Sequence, residues 1–175
     1  MGRSQPFYAA SAHLVAQWAC QLQKNVIIWQ KFVKGSVFMD EMKHPILSVV
    51  NTPHQFSYEN GIELTHVEPG LTRGVLHAGP NSINPHGMIH GGAIATLADT
   101  VAGSCACSRG GNCVTCSSTM EYLRPAYGDL FCEATPKKLG RRLSVIQVEI
   151  RNAQGKTVAT GTLTFFMEVP KKSDR

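Results

Sequence analysis

Apolar and polar positions divide this chain into blocks with different periods. From His90 to Cys107, Ala, Ile, Leu, Val and Thr fill nearly every position, with no proline and one acid, Asp99. A run apolar on all sides predicts a helix buried on all sides. Its 18 residues would extend about 27 Å. Gly91, Gly92 and Gly103 lower its helix propensity, yet they let other backbone approach closely. Before this run, "GIELTHVEPG" and "LTRGVLHAGP" are short alternating segments closed by Pro or Gly. They predict two strands joined by a tight turn at Glu68–Gly70. After it, a Gly-rich turn at Arg109–Asn112 leads into "CVTCSSTMEYLRPA", "GDLFCEATPKKLG", "RRLSVIQVEIRNAQG" and "KTVATGTLTFFMEV". These read as four more strands, with "NAQGK" as a hairpin turn and Gly128 and Gly140 at the other corners. "LSVIQVEIR" and "TVATGTLTFF" alternate in part, so one face is covered and the other exposed.

The order is two strands, one helix, four strands. Six antiparallel strands must bury one apolar face, and the long apolar helix is the element available to cover it. The predicted fold class is therefore α+β, a curved sheet of about six strands wrapped around one buried helix. Upstream, Asp40 to Tyr58 reads as a short helical region interrupted by Pro45 and Pro53, and Asn81 to Met88 as a loop rich in Asn, Pro and Gly. Residues 1–38 read differently. Leu14, Trp18, Leu22, Val26, Trp29 and Val33 recur at spacings of three and four, the pattern of an amphipathic helix. They form an N-terminal extension to a domain over 39–170, with a tail over 171–175. Met39 offers a second start, which would put the extension outside the natural protein.

Composition adds limits. A chain of 175 residues suits one domain of ordinary size. The net charge of +5 can draw in anionic ligands such as phosphates. It is too scattered for a nucleic-acid binder, and no basic aromatic motif accompanies it. No apolar window reaches membrane-spanning length, and the N-terminus is a poor signal peptide. The expected location is cytoplasmic, without membrane or nucleic-acid partners. Of the six cysteines, Cys105, Cys107, Cys113 and Cys116 are spaced as four thiolates of a zinc site could be. The stronger reading is free thiols packed as small hydrophobes, with no metal.

The candidate chemistry lies in "NPHGMIHGGAIATLADTVAG", Asn84 to Gly103. A carboxylate among apolar neighbours needs hydrogen-bonding partners to stay ionised. The N–H groups of the first helical turn are unpaired and sit at the positive end of the helix dipole. Gly91 and Gly92 leave them open to a carbonyl oxygen, the build of an oxyanion hole. Asp99 lies eight residues beyond Gly91, or about 12 Å along a helix. An attacking group must come within about 3–3.5 Å of the carbonyl, so one chain cannot readily supply both. A two-fold dimer removes the difficulty.

Asn84, His90-Gly91-Gly92 and Asp99 resemble, in identity and spacing, the signature of hotdog-fold acyl-CoA thioesterases of the phenylacetic-acid-degradation (PaaI-like) type. "YLRPA" at Tyr122–Ala126 and "GRRLSVIQVEIRNAQGKTVATGT" at Gly140–Thr162 look like that family's later strands. The resemblance covers roughly Met39 to Val169. It implies hydrolysis of a thioester to a carboxylic acid and free coenzyme A, with coenzyme A as part of the substrate and no separate cofactor. It also implies a homodimer that shares its active sites and pairs again into a homotetramer. Asp99 is then general base or nucleophile, and the Gly91 amide of the other subunit is the oxyanion donor. Asn84 orients water or holds the thioester. Thr115 aligns with the position of a hydroxyl beside the acid. His90 orients the loop and cap, or takes part in acid–base work. Gly92, Arg124, Lys137, Lys138, Arg141 and Arg142 are candidates for substrate binding, the basic ones through the phosphates of coenzyme A. Two other classes remain open: a non-catalytic acyl-CoA-binding module, and a hydratase or dehydratase. The latter needs a histidine partner that Ala93–Cys107 lacks.

Overall fold

The computed structural model describes residues 44–168, all within the unit Met42–Arg175. The amphipathic helix expected over Leu14–Val33 and the C-terminal tail lie outside the described residues. Two short helices lead in, α1 (Pro45–Val50) and α2 (Phe56–Glu59). Pro45 starts α1 rather than interrupting it. It occupies the first turn, where a missing N–H costs nothing, while His44 Nδ1 accepts from Ile46 N–H at 3.3 Å. The Asn51 amide then docks α1 onto the next strand, bonding both the N–H and the carbonyl of Leu64 at 2.8 Å.

The strands are β1 (Ile62–Glu68), β2 (Leu71–Leu76), β3 (Asn112–Tyr122), β4 (Leu130–Lys138), β5 (Leu143–Asn152) and β6 (Thr157–Glu168). The long helix, α3 (Gly91–Ala106), falls between β2 and β3. All strands pair antiparallel in the order β1-β2-β4-β5-β6-β3. The expected α+β arrangement is thus observed, with the turns where the sequence places them. Gly70 takes φ 99° beside the β1–β2 corner, and Gly155 takes φ 76° in the β5–β6 hairpin. Positive φ is the region where glycine carries no Cβ penalty.

Alternation decides which side chains meet the helix. In β5, Ser144, Ile146, Val148 and Ile150 are buried while Gln147 and Arg151 face out. Leu97, Ala98, Val101, Ala102 and Cys105 of α3 are fully buried beneath Leu76, Leu130, Ala134, Ile146 and Leu163. At Gly74 the helix packs tightly on the sheet. A Cβ there would lie 2.6 Å from Val101 Cγ2 and 3.0 Å from the Glu63 carbonyl oxygen.

The helix departs from expectation in one respect: it is not buried all round. Gly92, Thr96, Asp99, Gly103 and Cys107 follow helical spacing and are half-buried or exposed. The sheet seals one side of α3, and the strand nearest the other side, β3, is itself exposed at nearly every position. β3 is an edge strand, so its outer backbone groups have no ladder partner among the described residues.

The loop after β2 is held by charge. Asp129 accepts from Ala78 N–H at 3.0 Å and lies 3.5 Å from His77 Nδ1, while His77 Nε2 meets Glu63 at 3.1 Å. The hydrogen bond to Asp129 raises the His77 pKa against the opposing effect of burial, and Glu63 adds to the rise. Burial works against ionised Asp129, but the bonds from His77 and Ala78 outweigh it and hold its pKa below the usual value.

Two outcomes are expected. Gly74→Val should destabilise the fold by about 1–3 kcal/mol in chemical denaturation, the cost of overpacking. The His77–Asp129 pair should give a pH-dependent stability. The His77 part is present below about pH 6.5 and lost as pH rises through its raised folded value. The Asp129 part is present above about pH 3.8 and lost as pH falls through its lowered one. Unfolding curves across pH should show that window, and Asp129→Asn should flatten both limbs.

Candidate active site

The N-terminus of α3 is built by His90. Its backbone is extended, φ −65° and ψ 137°, and its Nδ1 accepts from Gly92 N–H at 2.8 Å. Its own N–H donates to Ser82 O, and Ile89 N–H donates to Ala126 O, both at 2.8 Å. These bonds pin the entry to the helix. The N–H groups of Ala93 and Ile94 both reach the His90 carbonyl. That leaves the Gly91 N–H as the first-turn donor with no acceptor among the described residues. The Tyr122 hydroxyl donates to the Gly91 carbonyl at 3.3 Å, so the ring stands beside the glycine without taking up its N–H.

This geometry separates the two glycines. The Gly92 N–H, expected to meet substrate, is committed to the cap, and a Cβ at Gly92 would sit 3.0 Å from His90 Nδ1. Gly92 therefore keeps the cap intact, and Gly91 holds the open donor. His90 Nδ1 is taken up by the cap. With Nδ1 accepting, Nε2 carries the proton of the neutral ring and can only donate.

Asn84 ties its own loop. Its Oδ1 accepts from His86 N–H at 2.9 Å and Met88 N–H at 3.2 Å. Two N–H donors at one oxygen fix the orientation of the amide, so only Nδ2 remains to reach water or a thioester. His86 is an exposed loop residue.

Asp99 stands on the open stripe of α3, half-buried, and Thr115 Oγ1 donates to its Oδ1 at 2.8 Å. A bulge follows Thr115, with Cys116 as the extra residue, and re-aims the strand at that point. The pair lines a cleft of about 650 Å³ with apolar walls from Ile46, Val50 and Phe165. The sequence reading placed a short helical region over Asp40–Tyr58 but gave it no part in a site, because the six residues of α1 are too few for a period to mark its apolar face. Gly91 is not among the residues lining this cleft, as the helical rise between Gly91 and Asp99 requires.

The basic candidates fall into two groups. Lys137, Lys138, Arg141 and Arg142 are exposed around the β4–β5 turn, close to the C-terminal end of α3. There Ala106, Leu139 and Arg141 line a second hollow of about 400 Å³ together with Arg109, which the sequence offered only as a turn residue. Arg124 is at the other end, where β3 runs out beside Gly91, and its guanidinium donates to the Thr157 carbonyl. The four cysteines spaced as zinc ligands do not converge. Cys105 is buried against the Ala134 carbonyl and Cys116 meets the Val114 carbonyl. No helix among the described residues is long and apolar enough to cross a membrane.

Residues 86–159 match the Thioesterase superfamily. Over 101 residues the chain is 33% identical to the acyl-coenzyme A thioesterase PaaI of Escherichia coli K12, covering 57% of this chain and 72% of that one. The chain belongs to the thioesterase superfamily. This is a family of thioester hydrolases with the hotdog fold, in agreement with the resemblance drawn from Asn84, His90-Gly91-Gly92 and Asp99. Among solved structures, the E. coli PaaI protein from the phenylacetic acid degradation operon aligns with TM-score 0.61 and 27% identity, over 65% of this chain and 83% of that one. The smu.793 protein of Streptococcus mutans UA159, bound to acetyl CoA, aligns with TM-score 0.61 and 28% identity, over 67% and 97%.

The cap makes a prediction. His90→Ala should cost about 1 kcal/mol of stability, the usual price of a lost N-cap. His90→Asn, which can accept the same N–H, should restore both the melting temperature and thioester hydrolysis. An Asn variant that melts normally but is inactive would instead assign chemistry to the imidazole ring.

Proposed function

We propose that this member of the superfamily is an acyl-CoA thioesterase whose active sites are shared between two subunits. The observation that carries the reading is the Asp99 carboxylate, held by Thr115 at 2.8 Å on an otherwise apolar helix and open to a cleft. A carboxylate so placed either takes a proton from water as that water attacks the thioester, or attacks the carbonyl itself to form an anhydride. In both cases the carbonyl oxygen gains negative charge. The Gly91 N–H, at the positive end of α3 and without an acceptor among the described residues, is the donor suited to it. Coenzyme A bound to structural relatives supports the substrate class, and the basic side chains at both ends of α3 suit its phosphates.

The second subunit follows from length. Eight residues of helix hold Gly91 about 12 Å from Asp99, too far for one thioester. A two-fold partner laid along the open edge of β3 would bring each α3 N-terminus to the other chain's Asp99. It would also cover the exposed strand and the half-buried stripe of the helix. Asn84, through Nδ2, is placed to hold water or the thioester oxygen.

Thiol release from a panel of acyl-CoAs tests the reading. Asp99→Asn should lower turnover by about 10²–10⁴-fold, the usual share of a general base. An Asp99 hydroxamate captured by hydroxylamine during turnover, or ¹⁸O from labelled water in the Asp99 peptide, marks direct attack; turnover that yields neither marks a general base. Gly91→Pro is a clean probe of the amide. Proline is tolerated at the first helical position, and His90 already has the extended backbone a following proline requires. It should lose about 10²–10³-fold, while Gly91→Ala, which keeps the N–H, stays active. Mixing the two inactive chains decides the assembly. Refolded together, Asp99→Asn and Gly91→Pro should recover about a quarter of wild-type activity if sites are shared across a two-fold axis. They should recover none if each chain is self-contained.

A further inference from the structure

The Asp99 cleft contains two nucleophilic groups that the hydrolysis does not use. Cys107 closes the C-terminal end of α3, Cys113 is the second residue of β3, and both line the cleft with Asp99 and Thr115. Cys113 Sγ donates to the Gly103 carbonyl at 3.6 Å, and the same carbonyl accepts from Cys107 N–H at 3.0 Å, so the two residues meet at one oxygen. That carbonyl is one helical turn beyond Asp99, and Cys113 is two residues before Thr115. Cys113 Sγ therefore sits one turn along the helix from Asp99 and two residues along β3 from Thr115. Among the described cysteines the pairing is specific. Cys105 and Cys132 are buried in the core, and Cys116 is exposed and bonded to the Val114 carbonyl. The segment between the two thiols includes Gly110 and Gly111, both at positive φ, so its backbone can adjust.

We propose that Cys107 and Cys113 form a reversible disulfide across the floor of the Asp99 cleft, with a small-molecule disulfide as oxidant, and that the oxidised chain turns over substrate more slowly. The effect on turnover rests on the thioesterase reading; the disulfide does not. Either thiol can open the exchange, and the steps balance in the same way from each; they are written with Cys107 first. The Cys107 thiolate attacks one sulfur of the small disulfide, forming a mixed disulfide and releasing one thiolate. The released thiolate takes the proton of Cys113. The Cys113 sulfur then attacks Cys107 Sγ and expels the second thiolate, which is protonated from solvent. Counting the proton Cys107 first gave to solvent, two protein thiols are oxidised by two electrons and one small disulfide becomes two thiols.

Closing the bond brings the two sulfurs to about 2.05 Å. Cys113 must then leave the Gly103 carbonyl and carry the start of β3 with it, moving Thr115 relative to Asp99. Misplacing a catalytic group by about 1 Å can cost about 10²-fold.

The test uses the full chain and oxidised glutathione. Expected results are a loss of about 2 Da in intact mass, a cross-linked Cys107–Cys113 peptide, and a fall in acyl-CoA turnover of at least about tenfold that dithiothreitol reverses. Cys107→Ser and Cys113→Ser should each abolish the cross-link, and Cys116→Ser should not. The Cys107→Ser/Cys113→Ser double variant should keep a turnover insensitive to oxidised glutathione, with its melting temperature confirming that it folds. Absence of the cross-link, its mapping to Cys116 or Cys20, or a cross-linked chain with unchanged turnover would overturn the proposal. The two readings fail separately. A reduced chain that releases no coenzyme A from any acyl-CoA ends the thioesterase reading, and the peptide map alone then decides the disulfide. A reduced chain that turns over but never cross-links ends only the disulfide.

Discussion

An apolar helix laid in a sheet has one sealed side and one side left over. In this chain the sealed side is Leu97, Ala98, Val101, Ala102 and Cys105, each with no measurable exposure. Burial of that face, at about 25 cal/mol per Å² of apolar surface, sets the rotation of α3 about its own axis. Once the rotation is set, Gly92, Thr96, Asp99, Gly103 and Cys107 must face the other way. The carboxylate therefore reaches the cleft because its neighbours three and four positions away are needed in the core. Gly74 enforces the same constraint from the sheet side, since any side chain there would push Val101 and the helix away.

The axis of α3 imposes a second condition. Its first turn supplies one free amide, at Gly91, because His90 caps Gly92. Its middle supplies one carboxylate, positioned by Thr115. A rigid rod cannot fold these together, so catalysis of one thioester by both groups calls for a second rod running the opposite way. The open edge of β3 and the uncovered stripe of α3 lie on the side where such a partner would be placed. The edge strand and the uncovered stripe therefore share the surface that the proposed second subunit would occupy.

The C-terminal end of the helix is arranged differently. Cys113 Sγ meets the Gly103 carbonyl one turn beyond the carboxylate, and Cys107 lies one turn further on, at the rim of the same cleft. The bonds Thr115–Asp99 and Cys113–Gly103 both cross from strand to helix, two residues apart on β3.

How much of this was legible in the chain itself depends on the range of the forces involved. The six strands, the long helix and the glycine corners follow from period and turn chemistry, which act over a few residues. So do Gly91, His90 and Asp99, whose spacing along one helix needs no tertiary knowledge. Pro45 was misread as a break, because whether proline starts or stops a helix depends on the cap beside it. The full burial expected for α3 was also wrong, since composition records how apolar a helix is but not how much sheet there is to wrap it. Family resemblance set Thr115 beside the acid, and the tertiary structure made Asp99 its partner; only the tertiary structure spent Gly92 on a cap, turned the Asn84 oxygen toward its own loop, added α1 as a cleft wall and separated Arg124 from the β4–β5 turn. Each of these is a contact between segments far apart in sequence or a choice between competing hydrogen-bond partners, and the pattern of one segment carries no record of which partner wins.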